Sequence, residues 1–264
     1  MTIDERAIIS ESANISSNAT IGAYTVIGDN VEIDSGTIVD SHAVINGPTK
    51  IGKNNRIYSF ASIGGDPQDI TYKKGDKSTL TISDNNIFRE FCTINRGTEK
   101  ENSITSIGSN NLFMSYVHIA HDCHVGNNVI MANNASLAGH VKLYDYAFLG
   151  GFTLVKQFCA IGESTYFGFN CTVNKDVPPF VVVSGHPTRV RCVNTVGLNR
   201  RKFNDKSISA IKRAFKAVYR SQGKLLDAIL VDLEKQEKDS KEVNRLIEFI
   251  RISKQGIMTR GYEE

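Results

Sequence analysis

The sequence predicts a mainly β protein, a parallel β-helix of hexapeptide repeats followed by a C-terminal α-helical domain. Three observations predict it. An apolar anchor returns every six residues through most of residues 1–190, and a small or β-branched residue stands four positions after most anchors. Beyond residue 190 the six-residue beat gives way to helical spacing. Neither the 3.6-residue period of a helix nor the two-residue alternation of an ordinary strand yields a period of six. A solenoid whose short strands each turn one anchor inward does.

The first run of anchors is Ile9, Ile15, Ile21, Ile27, Ile33, Val39, Ile45, Ile51, Ile57 and Ile63, and the second is Ile82, Phe88 and Ile94. The third runs from Ile107 through Phe113, Ile119, Val125, Met131, Leu137, Leu143, Leu149, Val155, Ile161 and Phe167 to Val173. Three hexads make one coil, so these anchors predict about eight coils stacked at the inter-strand spacing of ~4.8 Å. Two interruptions break the beat. Ile63 to Ile82 overshoots three hexads by a single position, and Ile94 to Ile107 overshoots two hexads by a single position. Both are expected to be loops that leave the prism, and such loops tend to carry function. The beat fails at Pro178-Pro179. Helices are then predicted around Ile208–Val218, capped by Asn204 or Asp205, around Leu225–Leu233 and around Val243–Ile250. Domains at 1–190 and 191–264 follow.

Composition excludes several classes. No apolar run approaches the roughly 18 residues of a membrane span, and no charged-then-apolar leader opens the chain, so a cytoplasmic protein without membrane insertion is expected. Cys92, Cys123, Cys159 and Cys171 each fall in the small slot four residues after an anchor, which predicts buried thiols rather than disulfides or metal ligands. Residues 191–264 hold 17 Lys and Arg against 10 Asp and Glu, whereas residues 1–190 hold 14 against 18. Nine basic residues and one acid crowd 191–220, a patch suited to an acidic partner.

The three-hexad coil also gathers a candidate site. His121, Gly139 and Gln157 follow one another at intervals of one full coil and form a column at a corner, and Asp122, His140 and Phe158 form the next. A neutral imidazole is poised near pH 7 to take a proton from a hydroxyl. Asp122 can orient His121 if a corner brings the adjacent side chains together, and Gly139 offers a backbone N–H to an oxyanion. A metal alternative rests on His118, His121 and His124, as in γ-class carbonic anhydrases, but spacings of three and six spread those rings around the prism. A non-catalytic assembly or carrier-binding prism is a further alternative.

The runs His118-Ile119-Ala120-His121-Asp122-Cys123, Leu137-Ala138-Gly139-His140-Val141 and Gly197-Leu198-Asn199-Arg200-Arg201 resemble the acyl-ACP–UDP-N-acetylglucosamine O-acyltransferase family, which performs the first step of lipid A biosynthesis. Phe60-Ala61-Ser62-Ile63-Gly64, Gln68-Asp69, Asn95-Arg96-Gly97-Thr98 and Gln157-Phe158-Cys159 extend the match. The resemblance implies a left-handed β-helix and a homotrimer with active sites between subunits. In it His121 is the general base for the sugar 3-hydroxyl, Asp122 orients it and Gly139 receives the oxyanion. It further implies that Gln68 and Asp69 hold the glucosamine, with His118, His140 and Gln157 nearby, and that Asn194, Arg200 and Arg201 meet the diphosphate and uridine. The acyl donor is a 3-hydroxyacyl chain on the phosphopantetheine of acyl carrier protein, which the basic patch would dock; no cofactor, metal or nucleic acid enters. The later N-acyltransferase of the same pathway is the nearest rival, and it usually carries an extra N-terminal uridine-binding domain. The sequence departs from the family at Lys156 (commonly His), at Thr71 (usually Lys) and at Pro187 in Gly185-His186-Pro187. It departs again at Phe169, where members accepting long acyl chains have Gly, which predicts a shortened acyl groove.

Overall fold

The computed structural model describes residues 2–221 and 225–260. Mostly two-residue strands form three sheets of 11, 9 and 8 strands, here faces A, B and C, in which each strand generally pairs in parallel with the third strand after it. Anchors stack on anchors: Ile9 on Ile27 and Ile119 on Leu137 along face B, Val125 on Leu143 along face C. The anchors from Ile21 onward are essentially solvent-free, and so is the small slot four residues on, which holds Ala43, Val117, Cys123 and Ala135 among others. All four predicted thiols are buried. Burial pushes Cys123 up to about 12, so these thiols are packing groups. Ile3 is an earlier anchor than the sequence suggested.

Corners explain the beat. The residue three after most anchors has a left-handed backbone, as at Asn54, Tyr116, Asp122, His140 and Phe158, with φ between 55° and 68°. Non-glycine residues adopt this at a cost of roughly 1–2 kcal/mol each. Corner hydrogen bonds to the coil below offset it, for example Asn134 N–H to the Ser115 carbonyl and His140 N–H to the His121 carbonyl.

The two interruptions are larger than their arithmetic suggested. In the regular coils an anchor pairs with the one three hexads further on, as Ile9 does with Ile27. Across the interruptions Ser62 pairs with Thr93 and Ile94 with Ile119. The first coil therefore gains two hexads and one position, and the second gains one hexad and one position, rather than a single position each. The first loop leaves between Ser62–Gly65 and Thr79–Ile82, the second between Thr93–Asn95 and Ile104–Ile107. Both leave from the edge joining face B to face C.

Along the edge joining C to A, the small slot holds buried asparagines. The Asn55 Oδ1 accepts the Asn86 N–H (2.9 Å), Asn86 Oδ1 accepts the Asn111 N–H (3.0 Å), and Asn111 Oδ1 accepts the Val129 N–H (2.6 Å). This ladder satisfies polar groups that the interior would otherwise strand.

An antiparallel pair, Val181–Ser184 with Arg189–Val193, ends face A, so sheet structure runs past residue 190. Among the described residues four helices follow: α1 (Thr195–Arg200), α2 (Asp205–Arg220), α3 (Leu226–Gln236) and α4 (Lys241–Ile252). The last three match the expected helices, and the Asn204 side chain caps α2 by accepting the Ser207 N–H at 2.8 Å. The short α1 was not expected. Neither was the return of the chain after α4, which pairs Ile257 with Asp176 and Arg260 with Val190. Asp176 takes the Ala160 N–H and the Ser253 hydroxyl, both at 2.7 Å, and so ties this return to the prism. No helix among the described residues is long and apolar enough to cross a membrane.

Candidate active site

The edge that releases both loops continues directly into the His121 corner. His121 and Asp122 follow the strand His118–Ile119, and Gly139 and His140 follow Ser136–Leu137. Adjacent side chains on an extended strand point apart. Here the left-handed φ of Asp122 (59°) turns its carboxylate back onto its neighbour, and Asp122 Oδ2 lies 2.8 Å from His121 Nδ1. Asp122 is itself held by the Thr98 N–H (2.8 Å) and hydroxyl (2.6 Å), and its own N–H donates to Thr105 Oγ1 (2.8 Å). Burial pushes its carboxyl up, but the bonds from His121 and Thr98 outweigh that and leave it below the ordinary carboxylate range. Thr98 belongs to a run already noted for its resemblance, yet its hold on Asp122 was not foreseen.

The His121 ring folds over Gly139. A Cβ there would meet the imidazole Cε1 at 2.6 Å and Nε2 at 2.9 Å. Among the described residues nothing accepts the Gly139 N–H. That N–H points outward by class: at the equivalent corner positions of Lys53, Ser109 and Asn127 it donates to an Asp or Asn side-chain oxygen at 2.7–2.8 Å. At Gly139 the acceptor place is open, as an oxyanion donor requires.

His140 belongs to the neighbouring column, with Asp122 and Phe158. Its ring stands edge-on to His121 (centroids 5.1 Å apart) and stacks on Phe158 (4.4 Å). Its Nε2 is 3.7 Å from Asp122 Oδ2, while its buried Nδ1 lies 3.4 Å from Glu101 Oε2 without a hydrogen bond. Gln157 is exposed one corner further on. His118 bonds Thr93 Oγ1 (2.8 Å) on face B and His124 bonds Ser106 Oγ (2.7 Å) on face C. The three histidines of the metal alternative therefore face different partners. Among the described residues, the donor atoms that do converge, within 4.8 Å, are those of His121, Asp122 and His140. There His121 Nδ1 and Asp122 Oδ2 already satisfy each other, an arrangement suited to an oriented base rather than to an open metal cage.

The first loop brings Asp69 to the other side of the ring, with Oδ2 3.9 Å from His121 Nε2. Thr71, standing where the resemblance implied Lys, donates both its N–H and its hydroxyl to Asp69 Oδ1 at 2.8 Å. Lys100 of the second loop reaches Asp69 Oδ2 at 2.6 Å. The Lys100 bond, then those of Thr71, hold the Asp69 carboxyl far below the usual carboxylate range. Arg96, almost solvent-free, pins the two loops together by bonding the Gly64 carbonyl and the Asp66 carboxylate. Gln68 is exposed on the same loop.

Other expected residues lie elsewhere in the single chain. Phe169, 83% exposed, sits at the A–B edge before Thr172–Val173, three rungs along face B from His118–Ile119. Asn194 caps α1 through the Gly197 N–H (3.0 Å) and donates to the Ser164 carbonyl (2.9 Å) at the C–A edge. Arg201 stacks on Tyr146 (3.5 Å) and bonds the Ser164 hydroxyl, while Arg200 is exposed. Asn194 and Arg201 thus fasten the helical domain to the prism, a structural task absent from the sequence expectation.

Comparison with known proteins gives consistent likenesses. Residues 176–258 match a family model described as UDP-N-acetylglucosamine O-acyltransferase, domain 2, and residues 104–139 match the bacterial transferase hexapeptide model. The acyl-[acyl-carrier-protein]–UDP-N-acetylglucosamine O-acyltransferase of Stutzerimonas stutzeri is 46% identical over 255 residues, 97% of this chain and 98% of the relative. That of Janthinobacterium sp. is 48% identical over 208 residues, 78% of this chain and 79% of the relative. Among solved structures, the Francisella novicida UDP-N-acetylglucosamine acyltransferase superposes with a TM-score of 0.95 at 41% identity, covering 98% of this chain and 94% of that one. The Campylobacter jejuni enzyme gives 0.92 at 36%, covering 98% and 100%. The fold is the left-handed hexapeptide β-helix with a helical C-terminal domain.

Proposed function

The chain belongs to the acyl-[acyl-carrier-protein]–UDP-N-acetylglucosamine O-acyltransferase family and is an acyltransferase; from that premise we propose that it moves a 3-hydroxyacyl chain from acyl carrier protein to the 3-hydroxyl of UDP-N-acetylglucosamine, the first step of lipid A biosynthesis. The observation that carries the reading is the His121–Asp122 pair under an unclaimed Gly139 N–H. With its Nδ1–H donated to Asp122, His121 presents the Nε2 lone pair to the sugar hydroxyl. That nitrogen takes the hydroxyl proton as the oxygen attacks the thioester carbonyl. The Gly139 N–H donates to the oxyanion. Collapse breaks the C–S bond, and the imidazolium returns its proton to the leaving phosphopantetheine thiolate. The thioester arrives already activated, so the step calls on no cofactor of the protein's own.

Gln68 and Asp69 would hold the glucosamine, with His118, His140 and Gln157 lining its surroundings. Arg200, with Asn194 and Arg201, would meet the diphosphate and uridine, and Phe169 would limit acyl length. These groups occupy three edges of one prism, which favours a homotrimer in which neighbouring copies complete each site. An exposed column of stacked aromatics on the A–B edge, Phe60, Phe91 and Tyr116 with centroids 5.3 and 4.9 Å apart, supports burial against another copy. The basic helical face fits an acidic carrier protein, and a cytoplasmic setting is where that carrier and the nucleotide sugar would be met.

The test is incubation with UDP-N-acetylglucosamine and a series of 3-hydroxyacyl carrier proteins, followed by mass spectrometry of the nucleotide sugar. Acylated product that vanishes with His121→Ala supports the reading. No product with the hydroxyl acceptor but product with its 3-amino analogue would replace ester by amide formation, and no product with either would overturn the proposal.

A further inference from the structure

The second loop touches the catalytic edge with three side chains. Thr98 bonds Asp122, Lys100 bonds Asp69, and Glu101 lies against His140. The reaction described above uses the first of these only as a prop and assigns the Lys100 charge no task. We propose that Lys100 is a positioning residue, fixing Asp69 beside the catalytic imidazole and offsetting its charge so that His121 remains free to accept a proton. The proposal rests on the acyltransferase reading of this site.

Charge balance around the ring supplies the reason. His121 stands between two carboxylates, with Asp122 Oδ2 2.8 Å from Nδ1 and Asp69 Oδ2 3.9 Å from Nε2. An opposite charge within ~4–6 Å favours a charged group by about 1–3 pH units. One carboxylate orients the ring and stabilises the imidazolium as it forms. A second, uncompensated, would favour a proton on Nε2 before the substrate arrives, and a protonated ring cannot act as base. Lys100 sits on the second carboxylate, 2.6 Å from the very oxygen that faces His121. Thr71 occupies the other oxygen, so Asp69 cannot rotate away without losing two hydrogen bonds.

Other charged or titratable groups around the ring do not take this part. His140 stands edge-on to it and carries Glu101 on its far side. His118 is half-buried against Thr93, and burial above all holds it toward its neutral form. Lys156 is exposed on the column beside Gln157. Among these groups Lys100 alone is ion-paired to the Asp69 oxygen that faces the imidazole.

The test compares the pH dependence of kcat/KM, which reports the free enzyme's essential groups, in wild type, Lys100→Met, Lys100→Arg and Lys100→Met/Asp69→Asn. Lys100 is half-exposed, so the variants are expected to fold, and a thermal melt checks it. In Lys100→Met the acidic limb should move up by about one pH unit, with roughly tenfold less activity below it and recovery above. Lys100→Arg should restore the limb. Removing the Asp69 charge in the Met background should restore it too, whatever that change does to KM. An unmoved limb in Lys100→Met overturns the proposal, as does a KM for UDP-N-acetylglucosamine raised equally at every pH, which would make Lys100 a ligand contact. NMR titration of the ring-labelled His121 without substrate measures the same shift. If wild type shows no acyl transfer, the functional reading fails, while the titration still decides whether Lys100 governs protonation of the ring.

Discussion

Replacing Gly139 by Ala should separate activity from stability. The added Cβ would come 2.6 Å from Cε1, 2.9 Å from Nε2 and 3.2 Å from Nδ1 of His121. Carbon atoms in contact prefer about 3.5–4.0 Å, so ring or corner must shift by about 1 Å. The ring has little freedom on its other side, since Nδ1 is tied to Asp122 and Asp122 to Thr98 and Thr105. The displacement therefore falls on Nε2, the atom that would meet the substrate hydroxyl in the proposed reaction. A misplacement of that size costs about 100-fold, or about 2.7 kcal/mol of barrier. The fold should scarcely respond. Gly139 is not among the residues of left-handed backbone, and Gly→Ala at a compatible site gains about 0.4–1 kcal/mol through the unfolded chain, which offsets part of the crowding. Initial rates of acyl transfer beside a thermal melt make the assay. Activity within about threefold of wild type would refute the reasoning, because the base would then not be confined against the Gly139 backbone.

Phe169→Gly should open the groove to longer donors, raising kcat/KM roughly tenfold for a donor two methylenes beyond the wild-type optimum, at ~0.8 kcal/mol per buried methylene; rates across a chain-length series check it. Arg200→Ala should raise KM for UDP-N-acetylglucosamine and leave the melt unchanged. Arg201→Ala should instead cost about 1–3 kcal/mol of stability, because it strips Tyr146 and Ser164 of their partner; melting curves and KM together distinguish the two. His118 and His124 are both held below the ordinary 6.5, by burial first. The unfolded chain therefore takes up more protons as pH falls, so the stability present above 6.5 is lost as pH drops toward the folded values. Asn at both positions should flatten that acid-side loss in urea midpoints measured between about pH 7.5 and 5.5.

The solenoid was legible because each coil repeats one physical requirement, an inward anchor and a small slot, and the column of His121 and Gly139 follows from that period alone. The cap of α2 was legible because Asn204 acts on a backbone group three positions away. What escaped depends on contacts between distant segments. The full size of the two loop insertions stayed hidden because each adds whole hexads plus a single position, so the beat resumes almost in phase. Thr98 and Lys100 take their meaning only when the second loop lies over the His121 corner. Asn194 and Arg201, marked for a ligand by resemblance, also anchor the helices to Ser164, which no linear spacing discloses.

The asparagine ladder has a consequence for how the column assembles. A stack of near-identical coils offers each new coil several almost equivalent neighbours, and slippage is the failure to which such repeats are prone. The danger is greatest where the loops make successive coils unequal in length, between residues 63 and 107. Asn55, Asn86 and Asn111 span that region, each completing the next from one coil to the following one despite the chain that loops out between them. A coil seated one rung out of place would leave a buried amide facing aliphatic side chains, at a cost of about 1–3 kcal/mol per group. The ladder works as a key cut for a single lock, admitting only the alignment that sets both loops over the His121 corner.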